Sequence, residues 1–410
     1  MNLSSGKMLP APDSPALAGL CPESAAPAHG PVFLASHLSR SNTIYSRGIP
    51  MANILYGVNG EGAGHSTRAK EVISHLQKQE HIVHVVSFDR GLANLSKDFE
   101  VAEIFGWRIA YVNNQVRYRR TIAKNMMTAR RAVASVSWLK SLIDEKKINL
   151  VVTDFEPLSC HAGRSKGLPV ISIDNQHCLT NTDASYPGKY RRDAAAAKMV
   201  TRLMVPNANA YLVTSFFDAQ STRPTTFVFP PILRESILTA KPREGECILV
   251  YMTSPTAALE KILASVRCRF VAYGFGREGQ EGNVVYKKPS LDGFLADLVI
   301  AKAIIANAGF SLVTEALHLG KPYLAIPVSH QFEQVFNAYQ LEKAGYGAYW
   351  DELNKERVES FLFNLPHFRE RLAFYPSKGN DALFAKLDAL ISELTTPRNS
   401  LRHHSGWRGN

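Results

Sequence analysis

The run 58-VNGEGAGHSTRA-69 holds Gly60, Gly62 and Gly64, followed by a lone histidine, His65. Glycines accept positive φ and let a backbone come close to a ligand. A helix that starts behind them offers free N–H groups and the positive end of its dipole to an anion. His65 at the mouth of such a loop suits a general base, since imidazole titrates near neutral pH and accepts a hydroxyl proton. The spacing is G-x-G-x-G rather than G-x-G-x-x-G. A dinucleotide loop, a cradle for another ligand and a plain strand–helix turn therefore all stay open. Asp89, 25 residues past Gly64, mimics the acidic residue of a nicotinamide-binding fold.

Two further clusters carry carboxylates. In 153-TDFEPLS-159, Asp154 and Glu156 stand at the end of an apolar run. Paired carboxylates fit glycoside hydrolysis, helix capping or acceptor binding. Just beyond, 174-DNQHC-178 offers Asn175, Gln176 and His177 to an acceptor pocket or to loop hydrogen bonding. The second half carries 307-NAGFSLVTEALHLGKPYLAIPVSHQFEQVFNA-338. There Gly309 ends a strand and Ser311 opens a helix, whose free N–H groups suit a diphosphate. Glu315 falls one turn on, where a carboxylate can accept two ribose hydroxyls. Gly320-Lys321-Pro322 closes that helix, and Glu333 and Gln334 follow on a loop or helix start facing a cleft.

The elements that must position these residues are legible as alternation. Strand-like runs are 53–58, 82–88, 149–155, 169–174 and 210–216, with helical runs between them such as 66–79. After a break at 229–246 the alternation restarts with 247–252, 269–275, 284–288, 303–309 and 323–328. Strands alternating with helices predict βαβ units and parallel sheets. The reading is two successive α/β domains of Rossmann type. The first spans 51–230, a linker follows at 231–245, and the second spans 246–395 with a terminal helix at 381–394. Ligands in such sheets sit beyond the carboxyl ends of the strands, so a pair of them leaves a cleft. Residues 1–50 are rich in Ala, Pro and Ser without periodicity, which predicts disorder and a folded protein beginning at Met51. The basic tail at 396–410 is expected to be disordered too.

Composition narrows the partners. The chain has 410 residues and a formal net charge of +11, which favours anionic partners without choosing among them. Its five cysteines (Cys21, Cys160, Cys178, Cys247, Cys268) are scattered and form no CxxC. This argues against a disulfide framework or a structural zinc site and for a reducing cytosol. No run approaches the ~20 apolar residues that cross a bilayer. Residues 1–50 lack the apolar core of a secretory signal. Arg117, Arg120, Lys124 and Arg131 recur at helical spacing within 116–136. They mark either the solvated face of a core helix or a contact with anionic lipid or a phosphorylated acceptor. Arg191, Lys198 and Arg202, with Met199 and Leu203, extend the same pattern. No nucleic-acid partner is expected, because no stacking motif or recognition module is present.

The 307–338 run resembles the donor-nucleotide signature of GT-B glycosyltransferases of the UDP-glycosyltransferase and MurG-like type (families 1 and 28). The resemblance is carried by Gly309, Ser311, Glu315-Ala316-Leu317, Gly320-Lys321-Pro322, Pro327, Glu333-Gln334 and Asn337-Ala338, and by the Gly-rich loop ending in Gly64-His65. It covers residues 51–395 and implies two Rossmann-like domains with parallel sheets facing across a cleft. It further implies a nucleotide-sugar donor, UDP-linked, and a hydroxyl acceptor, lipid-linked ones included. No cofactor and no metal are expected, and transfer inverts the anomeric centre. The site implied is cytoplasmic, or peripheral on the inner face of the membrane, for cell-envelope, lipid or other glycoconjugate synthesis.

The roles transfer residue by residue. Gly309 and Ser311 would meet the diphosphate, with Gly62 and Gly64 on the cleft floor close to it. Glu315 would hold the ribose, and Glu333 and Gln334 the sugar hydroxyls. His65 would be the base and Asp154 the carboxylate that orients it. Glu156, Asn175, Gln176 and His177 fall on the acceptor side. Three departures stand out. The family's His-Gly-Gly is Asn307-Ala308-Gly309, its Asp-Gln is Glu333-Gln334, and the aromatic residue that stacks on the base has no counterpart. A sugar-nucleotide 2-epimerase of the same fold, a non-catalytic nucleotide-sugar or polyanion binder and a nicotinamide oxidoreductase are the competing readings.

Overall fold

The computed structural model describes residues 51–106, 111–112, 115–116, 129–328, 331–376 and 379–396. Residues 1–50 and 397–410 lie outside them, as do Arg117, Arg120 and Lys124 of the basic run.

The first half is a seven-stranded sheet. Its strands begin with β1 (Asn53–Val58), β2 (Ile82–Ser87) and β3 (Val101–Glu103). A separate ribbon, β4 (Tyr111–Val112) and β5 (Gln115–Val116), intervenes. The sheet resumes with β6 (Leu150–Asp154), β7 (Val170–Asp174), β8 (Ala210–Thr214) and β9 (Thr226–Phe229). The spatial order is β3-β2-β1-β6-β7-β8-β9, with every pair parallel. The central strands β6, β7 and β8 are buried along their whole length. That is why they read as near-continuous apolar runs: both faces are covered.

The second half repeats the plan. It comprises β10 (Ile248–Tyr251), β11 (Phe270–Tyr273), β12 (Gly279–Glu281), β13 (Val284–Lys287), β14 (Ala303–Ala306), β15 (Tyr323–Ala325) and β16 (Gly347–Tyr349). The order is β12-β13-β11-β10-β14-β15-β16, parallel except at the β12–β13 edge. Strand order reverses between β1 and β6 in one sheet and between β10 and β14 in the other. These are the switch points where such sheets bind ligands. The sequence reading did not anticipate β3, β9, β12 and β16, which are the edge strands of the two sheets.

The helices Ala129–Glu145, Pro157–Ser165 and Arg191–Met204 cover one face of the first sheet through Leu139, Ile143, Leu158 and Ala194. Helix Ala63–Lys78 covers the other through Ala69, Val72, Ile73 and Leu76. The terminal helix Asp381–Thr395 was grouped with the second half on chain order. It crosses back instead and packs Leu383, Leu387, Leu390 and Ile391 into the same layer as Ile54, Tyr56 and Val152. Its apolar stripe finds a sheet face left half-covered by one helix. The two halves also meet through helix Phe332–Lys343, whose Phe332 and Phe336 join the first half's core.

Candidate active site

The register of β1 against β6 builds the centre of the site. Val58 pairs with Asp154, so the glycine loop leaves β1 beside the residue that ends β6. Asn59 ties the two ends together, donating its N–H to Asp154 O and its side-chain amide to Phe155 O. The loop is shorter than the sequence reading expected. Gly62, at φ 84, turns the chain, and the helix starts at Ala63. His65 therefore lies in the first helical turn rather than at a loop's end.

His65 Nδ1 is 2.7 Å from Asp154 Oδ1. Asp154 is entirely buried, while the His65 side chain is 13% exposed. A carboxylate only accepts, so in the neutral imidazole Nδ1 carries the proton and Nε2 keeps the lone pair. Phe155 lies parallel to the imidazole, at 6.4 Å between ring centroids. Phe155 itself is held at φ 55, where a bulky residue is strained. The turn that forces it there is stapled by Thr153 Oγ1, which donates to Glu156 O and accepts from Glu156 N. Backbone strain of this kind concentrates where a side chain must be aimed.

Arg68, one turn beyond His65 on the same helix face, was missed in the sequence. Its Nε donates to Asp154 Oδ2 at 2.8 Å, and its Nη2 reaches Oδ1 of the same carboxylate. Burial opposes the guanidinium charge, but Asp154 beside it more than compensates and holds Arg68 charged. The 3.3 Å approach of Arg68 Nη2 to His65 Nδ1 is a contact only, because that nitrogen gives its proton to Asp154. The i, i+3 spacing to His65 was the available signal.

The pair opens on a cavity of about 830 Å³ lined from both halves. Asn59, Gly62, His65, Asp89, Arg90, Phe155 and Gln176 come from the first half, and Thr253, Ser254, Gln331, Glu333 and Gln334 from the second. Thr253 and Ser254, just past β10, were also missed. Asn307, which replaces the family's histidine, is spent internally. Its Oδ1 accepts from Thr253 N and Oγ1, and its Nδ2 donates to Ile326 O.

Across the cleft, Glu333 Oε1 accepts from Asn175 Nδ2 at 2.9 Å, with Gln176 Nε2 at 3.4 Å. Gln334 Oε1 accepts from Val328 N at 3.0 Å and braces the loop ahead of its helix. Gly309 caps helix Phe310–His318, and Ser311 in its first turn faces Gly64.

Two expectations need correction. Glu156 does not reach the cleft: it is fully buried and caps helix Pro157–Ser165, accepting from Leu158 N and Ser159 N. His177 is 2% exposed and turned inward; its Nδ1 pairs with Asp174 at 2.7 Å and its ring packs on Tyr211. Glu315, expected at the ribose, shares its carboxylate with the linker. Arg234 of the linker takes both its oxygens, at 2.8 and 2.9 Å. Burial raises the Glu315 carboxyl, and Arg234 offsets only part of that rise.

This arrangement can be set beside known proteins. A family model described as "Glycosyl transferase family 1" matches residues 52–366. Among solved structures, the glycotransferase of kitacinnamycin is similar at 18% identity and TM-score 0.59, covering 85% of this chain and 100% of that one. LpCGTa in complex with UDP is 15% identical with TM-score 0.60, again over 85% of this chain and 100% of the other. MurG of Acinetobacter baumannii is 17% identical with TM-score 0.54, over 84% of this chain and 100% of the other. No curated protein matches the chain. Two Rossmann-like sheets facing across a cleft are the GT-B fold, and with the family match they make this chain a glycosyltransferase that belongs to glycosyl transferase family 1.

Proposed function

We propose that the protein moves a sugar from a UDP-linked donor to a hydroxyl acceptor with inversion, without a metal. The observation that carries this is the His65–Asp154 pair at 2.7 Å, opening on a cavity shared by both halves. His65 Nε2 removes the acceptor proton as the hydroxyl oxygen attacks the anomeric carbon. The bond from that carbon to the diphosphate oxygen breaks, and the diphosphate leaves with the electron pair. The amides opening helix Phe310–His318 and helix Ala63–Lys78 face that developing charge. Glu333 and Gln334 meet the sugar, Glu315 the ribose, and Asn175 and Gln176 the acceptor side. UDP is favoured because the similar LpCGTa was solved with it.

The acceptor reading is a lipid-linked or other amphiphilic alcohol at an anionic membrane face. No helix among the described residues is long and apolar enough to cross a membrane. Helix Arg191–Met204, however, exposes Met199 (58%) and Leu203 (65%) beside Arg202. Apolar side chains framed by cations suit an interfacial helix. Arg131 is likewise exposed on helix Ala129–Glu145.

A thermal-shift screen over UDP-, GDP- and dTDP-sugars and NAD(P) tests the donor. Stabilisation by a UDP-sugar is expected, and stabilisation by NAD(P) alone overturns the reading. Sedimentation with anionic vesicles tests the surface, which should bind in low salt and release in high salt.

A further inference from the structure

We infer that Arg68 and Asn175 form a positioning relay that aligns the His65–Asp154 pair against the opposite half of the cleft. The inference rests on the transferase reading of that pair.

Arg68 is 6% exposed and uses all three of its nitrogens. Nε and Nη2 go to Asp154, and Nη1 donates to Asn175 Oδ1 at 3.1 Å. Asn175 Nδ2 then donates to Glu333 Oε1 at 2.9 Å. Asn175 follows β7 in the first half, while Glu333 opens helix Phe332–Lys343 in the second. One unbroken path of hydrogen bonds thus joins the imidazole to a carboxylate 268 residues further along the chain.

The path can run only one way. A guanidinium donates and a carboxylate accepts. Asn175 between them must turn its oxygen to Arg68 and its nitrogen to Glu333. Flipping the amide would set donor against donor and oxygen against carboxylate. Glu333 therefore fixes the Asn175 plane, Asn175 fixes the guanidinium, and the guanidinium holds the Asp154 carboxylate in the plane that suits His65. Phe332, seated in the first half's core, keeps Glu333 within reach. Small errors in base alignment cost rate far more than affinity. Simple neutralisation of Asp154 would need a positive charge but not this directionality, and a lysine would serve it equally well. One ammonium cannot span both carboxylate oxygens and Asn175 as the planar fork does.

The test compares full-length wild type with Arg68→Lys, Asn175→Ala and the double variant. Melting temperature, UDP binding by calorimetry, transfer kinetics and the ring signals of His65 in histidine-labelled protein, assigned with His65→Gln, are recorded. Each single variant should melt near wild type and bind UDP within about twofold. Its kcat should fall about tenfold or more with the donor KM little changed. The double variant should be no worse than the worse single, and the His65 signals should broaden or double. Wild-type kcat in Arg68→Lys, or losses that multiply in the double variant, would overturn the relay. If Arg68→Lys does not fold, Asn175→Ala decides alone: unchanged His65 signals and kcat overturn it. If wild type transfers from no donor, the transferase reading fails, while the His65 signals still decide the relay.

Discussion

Gly64 and Ser311 meet across the cleft so closely that a Cβ on Gly64 would lie 2.5 Å from Ser311 Oγ. The glycine is there for clearance, because Gly62 makes the turn. Two helix N-termini converge at this point, one from each half. Gly64→Ala should strengthen the isolated helix by up to about 1 kcal/mol yet weaken donor binding by about tenfold, by pushing the Ser311 hydroxyl off its line. In a Ser311→Ala background the same change should cost little, since only ordinary contact remains. Equal losses in both backgrounds, measured by calorimetry with UDP, would contradict this.

His65→Ala should leave UDP affinity within a few-fold and lower transfer by about 10²–10⁴, the range for a positioned base. Transfer rates and calorimetry on one preparation separate the two effects. Undiminished transfer would remove His65 from the role.

The Arg234–Glu315 clasp ties the linker to the donor-side helix, and the pair is mostly buried. Glu315→Ala strands the guanidinium and should cost about 3 kcal/mol in urea unfolding. The double variant Glu315→Gln/Arg234→Met should recover most of that stability while donor binding stays weak. Recovery of both would make Glu315 a structural residue rather than a ribose ligand.

Asp174 predicts a pH effect. Burial alone would raise its carboxyl, but the His177 charge and the hydrogen bonds from His177 and Ser172 bring it down to about 2, against an ordinary 3.8. A carboxylate held lower in the folded chain stabilises the fold above about pH 4 and loses that as pH falls through about 2. The gap between wild type and Asp174→Asn should include about 2 kcal/mol that vanishes across this window. Urea midpoints from pH 6 to 2 measure it, and a gap that does not change with pH would sink the idea.

The strand–helix alternation was legible because doubly covered strands are apolar throughout, as in β6, β7 and β8. Edge strands such as β9 and β16 were not, because β9 runs straight into Pro230 and Pro231 and β16 opens with Gly347 and Ala348, which carry no strand signal. Asp154 stood out as a carboxylate at a strand end, and the β1–β6 register brings it to His65. The Arg68–Asn175–Glu333 path was hidden, because side-chain direction across long separations leaves no local pattern. The clasp on Glu315 was hidden for a similar reason. Its partner Arg234 sits in a stretch read only as linker, and Glu156 and His177 looked available only because burial was unknown.

The return of helix Asp381–Thr395 to the first sheet has a consequence for how the protein is made. The first half's last strand ends at Phe229, yet Ile391 completes its core, so 162 residues must be synthesised in between. At about 5–20 residues per second, that leaves part of the sheet's apolar face bare for about 10–30 seconds on the ribosome. Chaperone capture should fall in that interval. A chimera that exchanges the first half must also carry the final helix, so it needs two breakpoints rather than one.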